Sequence, residues 1–150
     1  MKIHIVLDNI RSVFNVGSIF RSADGAGSVE KIYLCGITSP IDNPKLEKTA
    51  LGATEMVDSG HYDTTEEAIE ELRSRKIPIY SVELTEKAQN FQEIKYPNEL
   101  AIVFGHEKKG VEEDILKESD NHIMIPMRGK KESLNVANCA SIILYELTRE

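Results

Sequence analysis

Short apolar runs alternate along this chain with longer stretches whose apolar positions recur every three or four residues. The short runs fall at residues 2–7, 31–35, 55–57, 77–82, 100–104 and 122–125, and their length and aliphatic content predict β-strands. A helix is expected over about 15–25, where Val16, Ile19, Phe20 and Ala23 share one side and glycine stands near the end. Thr64-Thr65-Glu66-Glu67 fits a capping box, so a second helix should run through Ala68, Ile69 and Leu72 to about Lys76. A shorter helix is expected over 112–118 and a last one over 134–149, with a stripe of Val136, Ala140, Ile143 and Leu147. Pro40, Pro44 and the helical run at 45–51 mark residues 37–52 as an ordered excursion, serving either as a connector or as a ligand contact. Strands alternating with helices predict an α/β fold, a mostly parallel sheet with helices on both faces.

At 150 residues, 41% of them hydrophobic, the chain suits one core, and a single domain over 1–150 is expected. No apolar run approaches the ~20 residues of a membrane helix, and the first residues enter a strand-like run without a secretory signal, so a cytoplasmic location is expected. Cys35 and Cys139 lack a CxxC partner or zinc-ligand spacing and are expected as buried free thiols. His106-Glu107 is not a metalloprotease motif, because Gly110 stands where the second histidine belongs. No metal is expected.

The formal charge of −7 would repel a polyanion if spread evenly. Yet Arg11, Arg21, Lys108, Lys109, Arg128, Lys130 and Lys131, seven of the 18 basic residues, lie within or beside three segments at 15–21, 104–110 and 125–135. Each segment follows a predicted strand. In open α/β sheets ligands gather beyond the carboxyl ends of the strands, so the three can converge on one site. No GxGxxG joins the first strand to its helix and no GxxxxGK[ST] is present, which disfavours a dinucleotide fold and a P-loop NTPase.

The segments N-x-G-x-x-x-R (Asn15 to Arg21), F-G-x-E-x-x-G (Phe104 to Gly110) and I-P-M-x-G-x-x-x-S-L-N-V-A (Ile125 to Ala137) resemble, in order, the three motifs of the TrmH-like (SpoU) branch of the SPOUT superfamily. The resemblance covers nearly the whole chain. It implies S-adenosylmethionine-dependent ribose 2′-O-methylation of RNA, on an α/β fold whose C-terminal part forms a deep trefoil knot around the methyl donor. It also implies a homodimer with its interface beside the knot. Of the possible substrates, tRNA is preferred and rRNA is the alternative; a noncatalytic RNA-binding protein and a base-nitrogen methyltransferase are the rivals.

Carried onto this chain, the resemblance places donor contacts at Val82, Gly105, Ile125, Met127 and Leu134, with Ile125, Met127 and Leu134 suited to line an apolar slot for adenine. Arg21 is the expected catalytic residue. A guanidinium titrates above ~12 and does not ordinarily accept a proton, so either a substrate phosphate takes the hydroxyl proton or Arg21 stabilises the developing oxyanion while water removes it. Asn15, Ser133 and Asn135 can orient ribose or phosphate without titrating, and Glu107 can hold one of these groups. Helix capping by Asn15 and Ser133 is the alternative use. Arg11, Lys108, Lys109, Arg128, Lys130 and Lys131 are candidate phosphate contacts.

Overall fold

The computed structural model describes Met1–Glu150 and contains one seven-stranded sheet. The strands are β1 (Lys2–Asp8), β2 (Val29–Cys35), β3 (Ser59–Tyr62), β4 (Ile79–Val82), β5 (Gln89–Asn90), β6 (Glu99–Gly105) and β7 (Asn121–Met124). Their order is β3-β2-β1-β6-β4-β7-β5, and every pairing is parallel. All carboxyl ends therefore reach one rim. Asp8 pairs with both Cys35 and Gly105, and Val82 pairs with Ile123, so the ends of β1, β6, β4 and β7 stand side by side.

Five helices cover the sheet: α1 (Val13–Ala26), α2 (Glu47–Ala50), α3 (Thr65–Ser74), α4 (Glu113–Glu118) and α5 (Val136–Leu147). Ile3, Ile5 and Leu7 of β1 pack with Val16, Ile19 and Phe20 of α1 and Ala140, Ile143 and Leu144 of α5. Val6 points to the opposite layer, with Ala68, Ile69 and Leu72 of α3 and Ile115 of α4. Burial on both faces explains why these strands read as continuous apolar runs instead of alternating ones. No helix is long and apolar enough to cross a membrane.

The helix starts are chemically marked. Ser12 Oγ accepts from Asn15 N–H at 3.2 Å and caps α1, Thr64 Oγ1 accepts from Glu67 N–H at 3.3 Å and caps α3, and Asn135 caps α5. α1 and α5 touch through Ser22 and Ser141, whose hydroxyls are 2.6 Å apart. Residues 37–52 pack on α1, where Gly17 leaves room for Thr49 and the backbone of Leu46 and Ala50. Thr49 also donates to the Phe14 carbonyl at 2.8 Å.

Three sequence expectations change. Residues 55–57 are not a strand: Ala53 and Val57 are buried while Met56 is exposed, the spacing of a helical turn, and Val57 N–H donates to Ala53 O at 3.1 Å. The edge strand forms instead at β3. The two-residue β5 is polar and left no hydrophobic trace. The last helix begins at Val136, two residues later than expected, because Asn135 and not Ser133 supplies its cap.

Candidate active site

Glu107, just beyond β6, ties two of the sequence segments together. Its carboxylate accepts from the backbone N–H of Arg11 at 2.8 Å and of Ser12 at 2.9 Å, and from the Asn15 side-chain amide at 3.0 Å. The Asn15 side-chain oxygen then accepts from the Asn135 amide at 3.3 Å. Asn135 spends its own oxygen on Ala137 N–H at 2.9 Å and Asn138 N–H at 3.2 Å. Both amide orientations are dictated. A carboxylate only accepts and a helix N-terminus only donates, so Asn15 must turn its NH₂ to Glu107 and Asn135 must turn its NH₂ to Asn15. Partial burial alone would raise the Glu107 carboxyl, but the donors from Asn15, Ser12 and Arg11 outweigh it and hold the group below the usual carboxylate range.

Beside this relay lies a cavity of about 220 Å³ at the carboxyl rim, between the loops after β4, β6 and β7. Val82, Gly105, Ile125, Met127 and Leu134, the five donor contacts expected from the resemblance, all line it. Leu84, Met124 and Val136 extend the apolar wall; Glu83, His106, Glu107, Glu132, Ser133 and Asn135 supply polar groups. An apolar slot with a few convergent polar groups suits an adenine-bearing ligand.

The turn after β6 closes tightly. His106 and Gly110 exchange backbone hydrogen bonds of 3.1 and 2.8 Å, and Gly110 adopts φ +72°. A Cβ on Gly105 would strike the backbone of Gly110 and Val111, so glycine is required there by close approach. His106 Nδ1 accepts from Lys108 and Lys109 N–H, both at 3.1 Å, which leaves Nε2 to carry the proton of the neutral ring. Cys139 forms part of the cavity wall. Burial, with the negative charge of Glu83 as the second cause, pushes its thiol up to about 12. Cys35 is likewise a free, buried thiol, raised to about 12 chiefly by burial.

Arg21 is placed apart. It is exposed on the outward side of α1, does not line the cavity, and makes no ion pair. One copy of the chain therefore assembles Asn15, Glu107, Ser133 and Asn135 but leaves out the expected catalytic arginine. Ser133 is exposed at the cavity and caps nothing; Asn15 caps nothing either, since Ser12 does so for α1. Arg11, Lys108, Lys109, Arg128, Lys130 and Lys131 are all exposed, and none pairs with a carboxylate, whereas Lys31, Arg73 and Arg149 elsewhere do. Sequence reasoning missed Glu83, on the cavity wall directly after β4, because it belongs to none of the three segments.

An all-parallel sheet whose carboxyl rim gathers remote loops around a partly apolar cavity is the ligand-binding arrangement of open α/β proteins. The model of the SpoU rRNA methylase family matches residues 2–145, and the chain belongs to that family. The family is one of RNA methylases. A tRNA (guanosine(18)-2′-O)-methyltransferase of Thermus thermophilus is 33% identical over 97% of this chain and 74% of that protein. One of Escherichia coli K12 is 30% identical over 97% of this chain and 62% of that protein, so the chain spans only part of these relatives' lengths. The AdoMet-bound rRNA methyltransferase from Sinorhizobium meliloti superposes with TM-score 0.91 at 25% identity, over 99% of this chain and 56% of that one.

Proposed function

We propose that this protein transfers a methyl group from S-adenosylmethionine to a ribose 2′-oxygen of RNA, with tRNA as the substrate. The observation that carries this is the Glu107–Asn15–Asn135 relay, which fixes three sequence-remote segments beside the cavity that Val82, Gly105, Ile125, Met127 and Leu134 line. The similarity to relatives described as acting on guanosine 18 of tRNA supports the substrate. Ribosomal RNA is the second reading, favoured by the fit to the neighbour described as an rRNA methyltransferase.

Two copies of the chain pair through α1 and α5, and Arg21 of one copy serves the cavity of the other. Supporting this, Phe14, Ile142 and Tyr145 are 47, 41 and 55% exposed, and Arg21 follows Phe14 by two helical turns on the same side of α1. These large apolar side chains, left exposed on α1 and α5, are available to a second copy. The cavity lies in a trefoil knot formed by the chain from β6 through α5, and the protein works in the cytoplasm.

When bound, the donor supplies an electrophilic methyl whose bond to sulfur breaks, with its electron pair returning to sulfur, as the ribose oxygen forms the new bond. Arg21 acts as a cationic hydrogen-bond donor that stabilises the developing oxyanion. The hydroxyl proton leaves to a phosphate oxygen or water. Asn15, Ser133 and Asn135 align the ribose, an effect that can supply several kcal/mol, up to ~7–11 in well-oriented systems. The unpaired cations Arg11, Lys108, Lys109, Arg128, Lys130 and Lys131 hold the RNA backbone without reading its bases.

Transfer of labelled methyl from the donor to total tRNA and to rRNA tests the reading, followed by nucleoside analysis. Expected is a ribose-methylated, alkali-resistant product, lost in Arg21→Ala while donor affinity is retained. No incorporation, or a methylated base, overturns it.

A further inference from the structure

Glu83 is a carboxylate on the cavity wall that none of the three sequence segments contains. It is half-buried and held in place: its backbone N–H donates to Ile123 O at 3.0 Å, and its carboxylate accepts from Val111 N–H at 3.0 Å and Leu84 N–H at 3.2 Å. A Cβ on Gly110 would strike its Oε2, so the carboxylate lies against the glycine turn that bounds the cavity. Its charge is felt on the far wall, where it is the second cause of the raised Cys139 thiol.

The other charged groups lining the cavity differ from it. Glu107 spends its carboxylate on three donors at the start of α1, and Lys108 and Glu132 are exposed side chains of opposite sign at the rim. Glu83 accepts only from Val111 and from its own neighbour, which leaves lone pairs of a fixed anion toward the cavity.

A methyl donor and its spent form differ in charge at one atom. The donor carries a sulfonium, and the product a neutral thioether. We propose that Glu83 is a specificity-determining residue that makes the cavity prefer the cationic methyl donor to its demethylated product, so that product leaves and donor reloads. This rests on the cavity being the methyl-donor site. A fixed anion lowers the energy of the donor cation by a Coulomb interaction that the product cannot share. It stabilises the bound donor more than the transition state, in which the positive charge is being dispersed, so it strengthens donor binding without accelerating the chemical step.

Calorimetric titration of S-adenosylmethionine, S-adenosylhomocysteine and a donor analogue bearing an ammonium in place of the sulfonium tests this in wild type and Glu83→Gln. Glutamine keeps an oxygen for Val111 N–H, removes the charge, and gives up only the acceptor of the exposed Leu84 N–H. Expected is about a tenfold loss of affinity for the two cationic ligands and less than about a twofold change for the product. KM for the donor should rise while kcat does not fall. Leu84→Arg, at a cavity residue 66% exposed, provides a variant whose folding is not at issue, and it should shift the donor-to-product affinity ratio in the same direction. Equal losses for donor and product, or an unchanged ratio in Leu84→Arg and Glu83→Gln, overturn the role of Glu83 alone. Wild type that binds none of the three ligands overturns the cavity assignment beneath it.

Discussion

Asn15 and Glu107, 92 residues apart in sequence, are joined by a 3.0 Å hydrogen bond from the amide to the carboxylate. Glu107 stands beyond β6 and Asn15 in the first turn of α1. Because β1 and β6 are neighbours in register, the two loops that carry these residues leave the same stretch of the rim. A charge-assisted bond of this kind is roughly twice as strong as a neutral one, so it fixes the relative position of the two loops.

Replacing Asn15 with aspartate sets a second carboxylate against Glu107 and removes the amide donor. Stability at pH 7 should fall by about 1–3 kcal/mol, from the lost bond and the like-charge contact. Denaturant unfolding checks it, and the deficit relative to wild type should shrink once the pH is low enough to protonate one of the pair. A deficit independent of pH would count against direct contact.

Glu107 itself gives a pH signature. Its carboxyl is held below the ordinary glutamate range in the folded protein, so its contribution to stability is fully present above that range and is lost as pH falls through the lowered folded value. The stability difference between wild type and Glu107→Gln should therefore be constant from pH 7 to about 5 and narrow below about 4. Parallel curves down to pH 3 would show that the carboxylate is not preferentially ionised in the fold.

Gly105→Ala adds a Cβ where the backbone of Gly110 and Val111 already lies. The turn must open, at a cost of about 1–3 kcal/mol, and the cavity it bounds changes shape. Donor affinity should drop by more than about tenfold, read by calorimetry on protein whose circular dichroism is native. Unchanged affinity would remove Gly105 from the donor site.

Both thiols are raised to about 12, chiefly by burial, so almost none is thiolate at pH 8. Native protein should show no fast-reacting thiol toward a disulfide reagent at that pH, and two after denaturation. Rapid modification of Cys139 in the folded protein would mean that the cavity wall is more open than described.

Lys130 and Lys131 are exposed and without carboxylate partners. Replacing both with alanine should weaken RNA binding about equally across sequences and lower the dependence of log affinity on log salt by about 1.4 for a single strand. Electrophoretic or anisotropy titrations at several salt concentrations measure it.

The chain by itself determined most of the elements and named many of the residues that line the rim cavity. Strands buried on both faces must be apolar throughout, so residues 2–7, 31–35 and 100–104 announced themselves. Asn15, Glu107 and Asn135 stood out because amide and carboxylate side chains sit in motifs at strand ends. What only the tertiary structure decided lies in relations that local spacing does not encode. The strand order β3-β2-β1-β6-β4-β7-β5 is not sequential, so no local pattern brings Glu83 to the turn at Gly110. Ala53 and Val57 bury one helical turn where a short apolar run suggested a strand. Arg21 shares a motif with Asn15, yet six residues of helix rotate it to the outward side of α1, because side-chain direction follows the helical period and not proximity in sequence.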